Sequence, residues 1–359
     1  MLYHLLYPLR TWLSVLNVFR YITFRTFYAT LTAGFLVYFF MPAFIAYMKR
    51  RRLGQVIREE GPKRHQAKAG TPTMGGAVVI GAVLLATLLW ANLANPYVWL
   101  ALGVLVSFGA LGGVDDLLKL SRGKNLGLKA REKLLFQAFF TLAFWWVLFD
   151  KLHFDDRLTF PFLKGFRPEL GLLYFPFIYL VVVGASNAMN LTDGLDGLAI
   201  VPFMVVSGVY GLLAYLAGHI QFAHYLRIPY VPGAGELAVF CGALVGAGMG
   251  FLWYNAHPAE VFMGDVGSLG LGAAVGAVAV MVKQEALLVL AGGIFVAEAL
   301  SVILQVGYFR LTGGRRILRM APLHHHFELC GWPENKVVVR FWILSVICGI
   351  LALSTLKLR

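Results

Sequence analysis

The sequence predicts an all-α polytopic membrane protein with about ten spanning helices and a short outer β-hairpin. Three observations carry this. Of 359 residues, 59% are hydrophobic and only 14% are charged, against about 25% charged in an ordinary soluble domain. Mean hydropathy is +0.73, and the apolar residues fall in long continuous runs rather than the roughly ten-residue alternating segments of a membrane barrel. The basic residues, finally, are concentrated in alternate loops.

Taken in order, residues 1–20 lack the basic start, unbroken apolar stretch and cleavage site of a signal peptide, and predict an interfacial amphipathic segment. Spans are expected at about 24–47, 74–93, 97–114, 133–149, 172–188, 197–216, 236–254, 268–282, 285–308 and 338–356. The first ends in Lys49-Arg50-Arg51-Arg52, an inner-side anchor. Strict alternation then puts loops 49–73, 115–132, 189–196, 255–267 and 309–337 inside and both termini outside. Residues 49–73, 115–133 and 309–340 hold 8, 6 and 6 of the chain's 31 Lys and Arg, the asymmetry that this topology requires. The outer segment 150–171 is too polar to span, and its alternation around Lys164-Gly165 predicts the hairpin. No repeat or second domain interrupts residues 1–359, which are expected to form a single integral-membrane domain.

The net charge of +13 suits topology and anionic membrane lipid rather than nucleic acid. The three cysteines, Cys241, Cys330 and Cys348, have neither pairing nor metal-ligand spacing and are expected to be free thiols. The Gly-rich stretches 242–250 and 269–278 suit close helix packing and not a nucleotide loop.

Chemistry is concentrated on the inner face. GGVDDLLKL (112–120) puts Asp115 and Asp116 at the predicted end of the third span, where the helix dipole disfavours acids. Adjacent helical residues diverge by about 100°, so the two are expected not to face one point closely. NAMNLTDGLDGLA (187–199) supplies Asp193 and Asp196 with Asn187 and Asn190 as further oxygen ligands or hydrogen-bond partners; a cap on the next helix is the structural alternative. In NAHPAEVFMGDVGSLG (255–270), Asp265 is an N-cap candidate and the best single metal ligand, and Phe262 could stack on a base. His324, His325 and His326 diverge too much for a closed zinc site but could bind phosphate or sugar oxygens. Lys63, Arg64 and Lys68 make a cationic loop suited to a diphosphate. Glu298 is expected to be paired inside the bundle, with Gly313-Gly314 and Pro322 bending or breaking the ninth span. Acids beside lipid are a functional hypothesis by default. Carboxylates suit magnesium, which retains substrate phosphates in its shell.

KAGTPTMGG (68–76), GGVDDLLK (112–119), NAMNLTDGLDGLA (187–199), FMGDVGSLGLG (262–272) and APLHHHFELCGWPE (321–334) together resemble the polyprenyl-phosphate N-acetylhexosamine-1-phosphate transferases, in family order and over most of the chain. The HHH segment followed by ELCGW looks like the branch using muramoyl-peptide donors. The resemblance implies that UDP-N-acetylmuramoyl-pentapeptide and undecaprenyl phosphate give lipid I and UMP. It also implies magnesium, a cytoplasmic active site in the inner membrane and a homodimer. By motif matching it marks Asp115, Asp116, Asp265 and His324 as catalytic and Asp265 as the magnesium ligand. Lys68, Thr73, Lys119, Asn190, Asp193, Gly194, Leu195, Asp196, Asn255, Phe262, Gln305, His324, His325 and His326 match substrate-binding positions. Direct attack of the lipid phosphate, with Asp115 or Asp116 taking its proton, is expected over a covalent aspartyl-phosphate route. A UDP-N-acetylglucosamine transferase is the nearest alternative. A transporter, the alternative from another class, would keep its ionisable residues near the bilayer midplane. DGLDGLAIV does not continue as a CDP-alcohol phosphotransferase signature does.

Overall fold

The computed structural model describes residues 1–51, 70–122, 127–163 and 165–357. A short helix α1 (Leu2–Leu6) and two 3-10 turns lead to α2 (Ile22–Arg50). There follow α3 (Gly76–Trp90), α4 (Pro96–Arg122), α5 (Ala130–Trp146), α6 (Tyr174–Thr192), α7 (Ile200–Ala217), α8 (Ile220–Leu226) and α9 (Leu237–Asn255). The remainder is α10 (Gly264–Met281), α11 (Leu287–Ala291), α12 (Gly293–Leu311), α13 (Leu323–Leu329) and α14 (Glu334–Ser354). Among the described residues, nine helices are long and apolar enough to cross a membrane, and the 15-residue α3 is a shorter apolar helix at the second predicted span. The expected all-α polytopic architecture is therefore present.

The central element is α10. Every residue from Val266 to Met281 is buried, and the helix packs chiefly between α4 and α6, with α3 and α7 also against it. Its GDVGSLGLGAAVGAVAVM sequence explains this, since small residues let neighbouring backbones approach. Gly112 of α4 is the tightest approach to its first turn: a Cβ there would lie 2.1 Å from the Asp265 carbonyl oxygen. Peripheral helices instead expose large apolar side chains, such as Phe27, Leu31, Phe35 and Phe39 on α2 and Leu300, Ile303 and Leu304 on α12. A buried bidentate pair, Arg25 to Glu236 at 2.6 Å on both arms, joins the start of α2 to the start of α9.

Four expectations change. The third span continues as helix to Arg122, because the leucines and lysine of DLLKLSR favour helix after the apolar run ends, so Asp115 and Asp116 lie within α4 and not at its terminus. The outer hairpin is reduced to one antiparallel bridge, Arg157 with Glu169, with no strand among the described residues; Lys164 lies outside them. The ninth span stops at Leu311, just before Gly313-Gly314, and helix resumes after Pro322, as expected, but it has a further break at Gly292, between α11 and α12. Asp193 closes α6 instead of starting α7. The cysteines are free, as expected.

Candidate active site

The described parts of the predicted inner loops meet at one end of the bundle. The loop before α3 is joined to the loop before α10 by Phe262 N–H to Pro72 O (2.8 Å) and Gly75 N–H to Phe262 O (2.9 Å). This backbone pairing leaves Phe262 half-buried and sets Asp265 in the first turn of α10. Asp265 is inside the helix rather than its N-cap, where the dipole still favours a carboxylate.

Three acids from two helices converge here. Oxygens of Asp115, Asp116 and Asp265 lie within 4.8 Å of one another, against the expected divergence of the α4 pair. The two side chains reach opposite flanks of the same target because α4 presses on the start of α10. Asp116 Oδ2 accepts the Val266 N–H at 3.1 Å, capping α10, while Asp115 Oδ1 accepts the Leu128 N–H at 2.6 Å. Two ammonium groups enter the cluster. Lys119 Nζ lies 2.7 Å from Asp115 Oδ2, 3.0 Å from Asp265 Oδ2 and 3.7 Å from Asp116 Oδ1. Lys133 Nζ lies 2.6 Å from Asp265 Oδ2 and 3.0 Å from Asp115 Oδ2. Asn190 donates to Asp265 Oδ1 and to Ser268 Oγ, both at 2.8 Å. An all-oxygen donor set of converging carboxylates, with cationic side chains already drawn into it, fits a hard dication such as magnesium.

Beside this cluster runs the turn 193–199. Burial, followed by the charges of Asp265, Asp116 and Asp196, pushes the Asp193 carboxyl up to about 7. Gly194 is exposed and Leu195 buried. Asp196 is locked in place: its Oδ2 meets His257 Nδ1 at 2.9 Å and accepts Ala259 N–H at 3.2 Å, and its own N–H donates to Glu334 Oε1 at 3.1 Å. Asn255 is buried and uses both ends of its amide, accepting from Gly197 N–H and donating to Val261 O, so it holds two loops together. Asn187 donates to Gln137 Oε1 and Val183 O, apart from the acids. Thr73 is buried on the loop before α3, and Lys63, Arg64 and Lys68 lie outside the described residues.

The three histidines diverge, as their spacing requires. His324 turns inward to Glu298, His325 meets Glu328 Oε2 at 2.8 Å, and His326 accepts the Arg319 N–H and faces Cys330 Sγ at 3.7 Å. Gln305 accepts from Ile317 N–H and Leu318 N–H and donates to Leu318 O, which pins the segment entering α13. The sequence reading missed Lys133, Ser268, His257 and Glu334. Nothing distinguishes Lys133 from other topogenic lysines except that it stands in the first turn of an apolar helix.

The family model "Glycosyl transferase family 4" matches residues 98–283, the stretch from α4 to the end of α10 that carries all three converging aspartates. Proteins named phospho-N-acetylmuramoyl-pentapeptide-transferase are similar over their whole length. Those from Oleidesulfovibrio alaskensis, Desulfotalea psychrophila and Nitratidesulfovibrio vulgaris are 55%, 56% and 56% identical, with 100% of each chain covered. The chain thus belongs to glycosyl transferase family 4 and, within it, to the phospho-N-acetylmuramoyl-pentapeptide-transferases.

Proposed function

We propose that this enzyme transfers phospho-N-acetylmuramoyl-pentapeptide from its UDP carrier to undecaprenyl phosphate, giving lipid I and UMP at the cytoplasmic face of the inner membrane, as a homodimer. The observation that carries this reading is the convergence of Asp115, Asp116 and Asp265 with Lys119 and Lys133, in a chain alike end to end with transferases of that name. Asp265 and Asp115 would hold magnesium, which when bound supplies Lewis-acid neutralisation of the diphosphate. Lys119 and Lys133 draw the diphosphate in by charge-assisted hydrogen bonds. Asp193 and the histidine segment border the same space. Phosphoryl transfer of this kind needs positioning and electrostatics more than covalent chemistry, so direct attack by the lipid phosphate is retained.

Of the two α4 acids, Asp116 is the better base. Among the described residues its Oδ1 meets only Lys119, at 3.7 Å, whereas Asp115 Oδ2 is held by two ammonium groups at 3.0 Å or less. The second pKa of a phosphate monoester is near 6, so the acceptor's own dianion needs no base at higher pH. Asp116→Asn is expected to lower kcat more than it raises KM for either substrate, because a base acts in the transition state and not in ground-state binding. Steady-state kinetics with kcat unchanged would count against this role. Phe262 is assigned to stack on uracil. Phe262→Ala should raise KM for the nucleotide substrate about tenfold while changing kcat little, because the stacking exists before the transition state; unchanged KM with collapsed kcat would remove the assignment. For the reaction itself, purified protein with both substrates and magnesium should yield UMP and lipid product in equal amounts. Omitting either the lipid phosphate or the metal should stop both. UMP formed without lipid product would mean hydrolysis instead.

A further inference from the structure

Glu298 is an acid in the apolar helix α12 and is wholly buried. Both its oxygens are turned to one residue. Oε1 accepts the backbone N–H of His324 at 3.2 Å, and Oε2 lies 3.1 Å from His324 Nδ1. A carboxylate at Nδ1 keeps a proton on that nitrogen and makes Nε2 the outward-facing atom. His324 is itself only 1% exposed, yet Nε2 has no hydrogen-bond partner among the described residues. It is aimed at the turn between Asp193 and Asp196: a Cβ built on Gly194 would lie 2.4 Å from it, which is why this position tolerates no side chain. A buried nitrogen left without a partner is costly unless a ligand completes it.

We infer that Glu298 is a positioning residue for the transfer reaction. It fixes the tautomer and ring plane of His324, so that Nε2 meets the nucleotide-sugar across Gly194. Between a buried carboxylate and an anionic diphosphate, a ring carrying both protons bridges the two, with Nδ1–H donated to Glu298 and Nε2–H to a diphosphate oxygen. The same pairing ties α13 to α12, so the histidine segment is held in place by the neighbouring helix. This inference rests on the proposed function.

The test is a double-mutant cycle on kcat/KM with E298Q, H324Q and both together, with thermal stability measured in parallel. E298Q should raise KM for the nucleotide-sugar about tenfold, the size of one charge-assisted hydrogen bond, and leave KM for the lipid phosphate unchanged. The double variant should be no worse than H324Q alone, since Glu298 acts only through His324. Effects that multiply, or an E298Q effect confined to thermal stability, would overturn the positioning role. If E298Q does not fold, H324Q and H324N decide. Gln reproduces Nε2 and Asn reproduces Nδ1, so H324Q should retain the lower donor KM, and the reverse order would overturn the inference. Wild-type enzyme that releases no UMP in the same assay would overturn the functional reading and this inference with it. A competent wild type with multiplying effects overturns the inference alone.

Discussion

Replacing Asp265 by Asn should lower kcat on the order of a thousandfold, equivalent to about 4 kcal/mol of transition-state stabilisation. The substitution preserves shape, and its side-chain oxygen can still accept from Asn190, which now bonds Asp265 Oδ1 at 2.8 Å. What it removes is the negative charge on which Lys119 and Lys133 converge, at 3.0 and 2.6 Å, and with it the strongest carboxylate for a divalent cation. The effect should fall mainly on kcat and on the magnesium requirement. Thermal stability should change little, because α10 keeps its buried length and its cap from Asp116 at Val266 N–H. Steady-state kinetics across a magnesium titration checks this. A variant within tenfold of wild type at saturating metal would mean that the charge of Asp265 is not used in the transition state.

Replacing Lys133 by Met should lower kcat/KM about a hundredfold, chiefly by raising KM for the nucleotide-sugar. The figure combines the removal of one charge-assisted hydrogen bond with the penalty of leaving carboxylates less well neutralised. Lys133 comes from α5 and bridges Asp115 and Asp265, whose other shared partner is Lys119. Met keeps the length of the stem and removes the ammonium. Two consequences should appear together. The diphosphate loses an attraction that acts before the transition state, so KM rises more than kcat falls. The acids lose a competing cation, so half-saturation by magnesium should shift to lower concentration. An unchanged donor KM and magnesium dependence would place Lys133 outside the reaction and make it a strut between α5 and α4.

The order of apolar spans was legible because it depends on apolar length, a property visible along a chain. Successive spans alternate in direction, so the loops at alternate span ends meet at one end of the bundle. Boundaries were less legible wherever a helix outlasts its apolar run. Asp115 and Asp116 were placed at a helix end because GGVDD marks the close of the hydrophobic stretch, but DLLKLSR continues the helix and turns Asp116 toward the N-terminus of α10. The hairpin expectation rested on local alternation, which a single bridge between Arg157 and Glu169 satisfies without a sheet. Within the site, residue types that are rare near lipid announced themselves: the aspartates, the histidines and Glu298. Their partners did not, since Lys133 and the Glu298–His324 pairing depend on which helices the packing brings together. Asn255 and Gln305 carry motif positions in the sequence, and each proves to have its whole amide engaged by backbone.

The first experiment to run offers purified enzyme, undecaprenyl phosphate and magnesium two donors in parallel, UDP-N-acetylmuramoyl-pentapeptide and UDP-N-acetylglucosamine, and follows UMP. Release is expected with the muramoyl-peptide donor alone, abolished to background in Asp265→Asn. Release with the smaller sugar only, or undiminished release by the variant, would contradict both the proposed reaction and the assignment of its metal site.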